Sequence, residues 1–183
     1  MPSSLINEFP AINPFRHPIR WLKWNVLGIW PEKLPVHLPS PPPAQPGRRS
    51  IFLRHLDCGS CNGCELVLQA LTNPIYDIAG QGVHFVASPA HADVLMMTGA
   101  LTYNLQEIAQ RTLETLPTPR VIAVGECAIN GGEFKEAYGV LPLDERPQEL
   151  TAALIAEIPG CPPTPQKIKE VLMALELKHA NDR

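Results

Sequence analysis

The cysteines are the residues of this chain whose type and spacing could do chemistry. Three of the five follow one another at intervals of three, Cys58, Cys61 and Cys64, and the other two, Cys127 and Cys161, lie far along the chain. A glycine or proline lies within two residues of each, and such residues allow sharp turns and a close backbone approach to a bound group. Thiolates select zinc or iron–sulfur centres. The pattern predicts a metal site built from cysteines.

The segments that carry the cysteines alternate between strand-like and helix-like patterns. Short apolar runs predict strands at residues 51–56, 83–87, 93–97 and 121–124. Apolar residues at helical spacing, with proline and asparagine stops, predict helices at 65–71, 105–116 and 165–177. The segment 150–158 fits either a helix or a strand. This alternation predicts an α/β domain with a mainly parallel sheet and helices on both faces.

The predicted strands place every cysteine in a loop at one edge of the sheet. Cys58, Cys61 and Cys64 follow the first strand, Cys127 follows the fourth, and Cys161 follows the last apolar segment. Ligands of such sheets bind at the carboxyl ends of the strands. Three loops can therefore converge there on one soft metal centre.

The identity of the metal and of its four ligands can be narrowed from the residues. Widely separated ligands in an α/β sheet suit a zinc ribbon or finger poorly, which favours one [4Fe–4S] cluster over zinc. A ferredoxin-like interpretation would use Cys58, Cys61 and Cys64 together with Cys161, which precedes a proline, and would leave Cys127 without a role. Spacing alone does not decide which four of the five bind.

The N-terminal part of the chain has a different composition. Eleven of the 21 prolines fall in the first 47 residues, so residues 1–49 are predicted to form an extended Pro-rich arm. Residues 18–31 contain all three tryptophans, Trp21, Trp24 and Trp30, and fit a short amphipathic helix on a membrane or a hydrophobic partner. The alternative is an arm that folds back on its own domain. We assign residues 50–178 to the α/β domain and 179–183 to a tail.

Charge and hydropathy exclude several classes of protein. The 15 Lys and Arg against 18 Asp and Glu give a net charge of −3, which argues against nucleic acid as a partner. No run approaches the ~18 apolar residues of a membrane-spanning helix. The pair Arg48-Arg49 superficially resembles a twin-arginine export signal, but charged residues and cysteines follow it instead of an apolar region. We therefore expect a cytoplasmic chain with metal-binding rather than disulfide-bonded cysteines.

Four motifs in this order resemble one protein family. They are Asp57-Cys58-Gly59-Ser60-Cys61-Asn62-Gly63-Cys64-Glu65, Ser88-Pro89 before Ala92-Asp93, Gly125-x-Cys127-x-x-x-Gly131-Gly132, and Ile158-Pro159-Gly160-Cys161-Pro162-Pro163. The family is the cluster-carrying small subunit shared by membrane-bound energy-converting [NiFe]-hydrogenases, formate hydrogenlyase and the 20 kDa subunit of respiratory complex I. The resemblance covers roughly residues 50–177, and it implies a flavodoxin-like fold.

The resemblance also implies a ligand set. Cysteines matching Cys61, Cys64, Cys127 and Cys161 hold one [4Fe–4S] cluster in that family, which leaves Cys58 as a spare or alternative ligand. The first pair, Cys-x-x-Cys, is similar to hydrogenase small subunits, whereas complex I subunits have two cysteines in tandem. The short segment after Cys161 resembles the branch without an additional cluster domain or an export signal.

The expected function follows from this resemblance. The chain is predicted to be an oxidoreductase subunit, not catalytic alone, that relays electrons between a ferredoxin-like iron–sulfur subunit and a large subunit. The complex would lie on the inner face of the cell membrane, with anchor subunits contacted through residues 18–31. One alternative is a complex I-like 20 kDa subunit that passes electrons to quinone. Another, of a different class, is a zinc-stabilised interaction module.

Two acidic residues lie beside predicted ligands. Glu65 directly follows Cys64 at a helix start, so it could transfer protons beside the electron path or simply place a favourable charge at the helix N-terminus. Glu126 precedes Cys127, and it could lower the cluster potential by its charge or face solvent; we expect the second. His55, His84 and His91 are not expected to bind metal.

Overall fold

The structure is a computed structural model that describes residues 50–181, with side chains described for 50–175. The predictions that concern residues 1–49, including the Trp-rich helix and the Arg48-Arg49 pair, lie outside the described residues, as do residues 182–183.

Five parallel strands form one sheet in the order β2-β1-β3-β4-β5. The strands are β1 Ile51–Asp57, β2 Val83–Phe85, β3 Val94–Thr98, β4 Val121–Val124 and β5 Leu154–Ile158. The helices are α1 Gly63–Ala70, α2 Tyr103–Thr115, α3 Glu126–Asn130, α4 Gln148–Ala152 and α5 Pro165–Asn181. The strand order is that of flavodoxin-like folds. The predicted α/β, flavodoxin-like fold is confirmed.

Both faces of the sheet are covered, and β3 shows this most directly. Val94 and Met96 pack in one apolar cluster with residues of α1 and α5, whereas Leu95 and Met97 pack in another with residues of α2 and α4. Successive side chains of a strand point to opposite faces, so a strand buried on both sides needs apolar residues at every position. This explains why β3 and β4 show no polar alternation.

The segment whose pattern fitted either a helix or a strand contains both. Pro147 precedes the short helix α4, and β5 begins two residues after that helix ends. The strand lies at the edge of the sheet, where Ile155 is 40% exposed and Glu157 also faces outward. An edge strand that alternates in exposure lacks the continuous apolar run that made β4 easy to recognise.

Candidate metal centre

The loops that follow β1 and β3 meet at the point where the strand order reverses. The amide of Cys58 donates to the carbonyl of Thr98 at 2.9 Å, and the amide of Ala100 donates to the carbonyl of Gly59 at 3.2 Å. In open α/β sheets this reversal point, at the carboxyl ends of the strands, is where ligands bind. The first group of cysteines is therefore held at the expected edge.

Asp57, the last residue of β1, shapes the loop that carries the first cysteines. Its Oδ1 atom accepts hydrogen bonds from the amides of Gly59 at 2.9 Å and Ser60 at 2.8 Å. Asn62 then adopts a left-handed conformation with φ 69°, and α1 begins at the next residue. Cys61 lies exposed in this loop, and Cys64 lies half-buried in the first turn of α1.

The other two predicted ligands follow β4 and β5. Cys127 is the second residue of the short helix α3 and is buried, whereas Cys161 is exposed in the loop between β5 and α5. The expectation that every cysteine lies in a loop is thus wrong for Cys64 and Cys127. Both lie at helix N-termini because each helix begins almost immediately after its strand or turn.

One pocket is lined by four of the five cysteines, Cys61, Cys64, Cys127 and Cys161. Backbone from Gly63, Gly99 and Gly160 and the ring of Pro162 complete its wall. Three loops, after β1, β4 and β5, therefore bring their thiol groups to a common space, as the strand pattern predicted. No thiol in this pocket comes from Cys58.

Cys58 lies in the hydrophobic core instead. It is fully buried among apolar residues of the α2 face, including Met97 and Leu101, and its Sγ atom lies 3.9 Å from the carbonyl oxygen of Leu56. Burial raises the pKa of the Cys58 thiol to about 12, and the negative charge of Asp57 acts in the same direction. A thiol in this position behaves as a small apolar side chain. The geometry thus separates Cys58 from the pocket that the other four share.

Two glycines allow the backbone to approach the pocket sulfurs closely. A Cβ atom at Gly125 would lie 2.7 Å from Cys64 Sγ, and one at Gly132 would lie 2.9 Å from Cys127 Sγ. Both residues also have positive φ angles, 87° and 52°. A side chain at either position would therefore collide with a ligand sulfur and strain the backbone.

The thiols of the pocket act on one another electrostatically. Burial raises the pKa of Cys64 to about 11, and the charges of Glu65, Cys127, Cys61 and Cys161 raise it further. Burial also raises the pKa of Cys127, as do Cys161 and Cys61, while backbone amides of Cys127 and Glu133 oppose this change by hydrogen bonding to the thiolate. A positively charged metal centre would relieve this repulsion. The soft donors and the glycine-lined wall fit a [4Fe–4S] cluster held by four thiolates.

In the part of the chain that the structure describes, no three or more side chains of His, Cys, Asp or Glu form a group that could hold a single metal ion.

Glu65 belongs to a polar group on the other side of α1. Its side chain is only 12% exposed, and its Oε1 atom lies 3.7 Å from His55 Nε2, which lies 2.9 Å from Thr98 Oγ1. Burial lowers the pKa of His55, although the charges of Glu65 and Asp57 oppose this change. The group borders a cavity of about 430 Å³ that Arg54 and Phe85 also line. The sequence indicated Glu65 but not its partners, because they come from two other strands.

Glu126 does not face solvent as expected. Its carboxylate accepts hydrogen bonds from the amide of Gly160 at 3.1 Å and from Asn130 Nδ2 at 3.2 Å. At the other end of α3, the guanidinium of Arg146 donates to the carbonyls of Ala128 at 2.8 Å and Ile129 at 3.2 Å. Sequence reasoning missed both contacts, because they join residues far apart in the chain.

The model of one protein family matches residues 61–175, which cover most of the described chain and all four cysteines of the pocket. The family is described as "NADH ubiquinone oxidoreductase, 20 Kd subunit". This chain belongs to that family. Members of the 20 Kd subunit family are subunits of oxidoreductase complexes, so the predicted class of protein is confirmed.

Relatives of the 20 Kd subunit family include subunits of hydrogenases. The chain is 38% identical to formate hydrogenlyase subunit 7 of Escherichia coli, over 64% of this chain and 45% of that protein. It is also 38% identical to the probable membrane-bound hydrogenase subunit mbhJ of Pyrococcus furiosus, over 70% and 75%. It is 34% identical to a subunit of the NADH-quinone oxidoreductase of Clostridium beijerinckii, over 63% and 67%. The chain thus spans less than half of the E. coli relative.

Solved structures agree with the fold. A chain of the membrane-bound sulfane sulfur reductase, an archaeal respiratory membrane complex, matches with a TM-score of 0.56 and 26% identity, over 70% of this chain and 71% of that one. A chain of the [NiFeSe]-hydrogenase of Dm. baculatum matches with a TM-score of 0.55 and 17% identity, over 73% and 64%. By their names, several relatives belong to membrane-bound complexes. None of the helices within residues 50–181 is both long and apolar enough to span a bilayer.

Proposed function

We propose that this chain is an electron-transfer subunit that carries one [4Fe–4S] cluster on Cys61, Cys64, Cys127 and Cys161. The observation that carries the proposal is the single pocket lined by these four thiols at the carboxyl edge of the sheet. Membership of the 20 Kd subunit family supports the same cofactor. The proposal makes the chain an oxidoreductase subunit that is not catalytic alone.

The residues of the chain would hold the cofactor and set its environment. A bound [4Fe–4S] cluster supplies one-electron transfer, and its potential depends on burial, local charge and hydrogen bonds to sulfur. Cys64 and Cys127 are the more buried ligands, whereas Cys61 and Cys161 are exposed. The exposed pair leaves one side of the pocket open to a partner protein, which an electron relay requires.

The proposed partners are those expected from the sequence. A ferredoxin-like iron–sulfur subunit would exchange electrons with the cluster on one side, and a large subunit would do so on the other. The complex would lie on the cytoplasmic face of the cell membrane, with anchor subunits reached through residues 18–31. The membrane-bound complexes named among the relatives support this arrangement.

We infer that the large subunit is of the hydrogenase type. The Cys-x-x-Cys pair at 61–64 and the 38% identity to two hydrogenase-type subunits, against 34% for an NADH-quinone oxidoreductase subunit, favour this interpretation. The second candidate is a complex I-like subunit that passes electrons to quinone. The partner's sequence separates the two, because two Cys-x-x-Cys pairs in the large subunit would provide nickel–iron ligands.

Anaerobic reconstitution of the full chain with iron and sulfide tests the proposed cofactor. We expect about four irons and four sulfides per chain, and an electron paramagnetic resonance signal that appears on reduction with dithionite. Metal analysis of the protein as isolated provides the comparison with a zinc-stabilised interaction module. Zinc without iron or sulfide, together with failure to form a reducible cluster, would overturn the proposal.

Glu65 is proposed to transfer protons beside the electron path. Its buried carboxylate next to His55 and Thr98 supports this role, although a helix N-terminal charge alone contributes about 0.3–1 kcal/mol to stability. In the assembled complex, Glu65→Gln should lower turnover about tenfold or more and leave the reduced-cluster spectrum unchanged. Glu65→Asp should restore part of the turnover. If the residue only stabilises α1, Glu65→Gln will lower the melting temperature while turnover stays at the wild-type rate.

A further inference from the structure

The ladder of backbone hydrogen bonds between β4 and β5 continues beyond both strands. The amide of Gly125 donates to the carbonyl of Ile158 at 2.8 Å, and the amide of Glu126 donates to the carbonyl of Gly160 at 3.1 Å. The amide of Gly160 then donates back to Oε1 of Glu126 at 3.1 Å. Glu126 and Gly160 therefore exchange two hydrogen bonds, one of them through a side chain.

This reciprocal pair, which we call the Glu126–Gly160 clasp, lies directly beside two predicted ligands. Cys127 follows Glu126, and Cys161 follows Gly160. The second oxygen of the carboxylate is held by Asn130 Nδ2 at 3.2 Å. Since both oxygens of Glu126 are engaged, its side chain has a fixed orientation and ties together the loops that carry the two cysteines.

Glu126 also brings a charge to the pocket. It is the acidic residue among the described side chains that line the pocket of the four thiols, and it is partly buried there. Reduction adds a negative charge to a cluster, and a nearby carboxylate makes that addition less favourable. A fixed carboxylate at this position would therefore lower the reduction potential of a cluster bound in the pocket.

We propose that Glu126 is a positioning residue with two effects: its clasp to Gly160 holds the Cys127 and Cys161 loops together, and its charge lowers the potential of the bound cluster. The second effect rests on the proposed function, whereas the first concerns the protein with or without its cofactor. The two effects are separable, because glutamine retains an acceptor oxygen and loses the charge.

The test compares three variants of the full chain, Glu126→Ala, Glu126→Gln and the control Glu136→Gln, which removes an exposed acidic charge from the segment after α3. In the unloaded protein, the Gly160 amide should exchange with solvent about tenfold faster in Glu126→Ala than in wild type, and Glu126→Gln should restore slow exchange. After reconstitution, Glu126→Ala should lose iron to a chelator several-fold faster, and Glu126→Gln should keep iron but titrate at a more positive potential. Glu136→Gln should match wild type in all three measurements.

Unchanged Gly160 exchange in Glu126→Ala would overturn the positioning role, and an unchanged potential in Glu126→Gln would overturn the charge effect. If Glu126→Ala does not fold, Glu126→Met provides the same loss of acceptor at nearly constant volume. Failure of wild-type protein to bind a cluster would count against the proposed function only, because the amide exchange measurement needs no cofactor.

Discussion

Reconstituted Cys127→Ser protein is expected to hold only a small fraction of the iron bound by wild type, whereas Cys58→Ala protein is expected to bind the full amount. Cys127 lines the shared pocket, and a serine hydroxyl is a poor ligand for iron–sulfur clusters compared with a thiolate. Cys58 is fully buried outside the pocket. Iron and sulfide content, together with the visible absorption of the cluster, measures the difference.

The Cys58→Ala variant carries its own expected cost. Removing a buried sulfur from a packed core should lower the free energy of unfolding by about 1 kcal/mol, a loss that a urea titration detects. The opposite pattern, with iron lost from Cys58→Ala and kept by Cys127→Ser, would support the ferredoxin-like ligand set of Cys58, Cys61, Cys64 and Cys161. The two variants therefore decide between the ligand sets that cysteine spacing left open.

Gly125→Ala protein is expected to fail to bind the cluster even though no ligand has been changed. The new Cβ atom would lie 2.7 Å from Cys64 Sγ, and Gly125 has φ 87° and ψ 156°, a conformation that costs other residues about 1–3 kcal/mol. The collision would displace a ligand sulfur, and the strain would weaken the turn between β4 and α3. Iron content after reconstitution should fall to near background.

Gly139→Ala provides the matched control for this substitution. No atom lies within 4 Å of the position that a Cβ atom would occupy at Gly139, and this glycine does not have a positive φ. Its iron content and melting temperature should equal those of wild type. Wild-type iron content in Gly125→Ala would show that the ligands do not approach this backbone segment in the loaded protein.

The alternation of strands and helices was sufficient to predict the sheet and the edge at which the cysteines gather. β4 was predicted at its observed bounds because a strand covered on both faces must be apolar at every position. Parallel strands bring their carboxyl ends to one edge, so the loops that carry Cys61, Cys127 and Cys161 could be placed together from the pattern alone.

Other features depend on contacts that a linear pattern does not contain. The segment 150–158 holds a helix followed by an edge strand, and short apolar runs of this kind fit either element. The orientation of Glu126 could not be predicted, because its partner Gly160 belongs to a different strand connection. The same holds for His55, whose contact with Thr98 joins two strands that pair only in the folded sheet.

The position of β5 at the end of the strand order has a consequence for biosynthesis. The thiols of the pocket come from positions 61 to 161, and β5 must pair with β4 before the last of them reaches its place. A nascent chain still attached to the ribosome at an earlier point presents an incomplete set of sulfurs. Maturation factors that deliver iron and sulfide must therefore act on a released or nearly finished polypeptide.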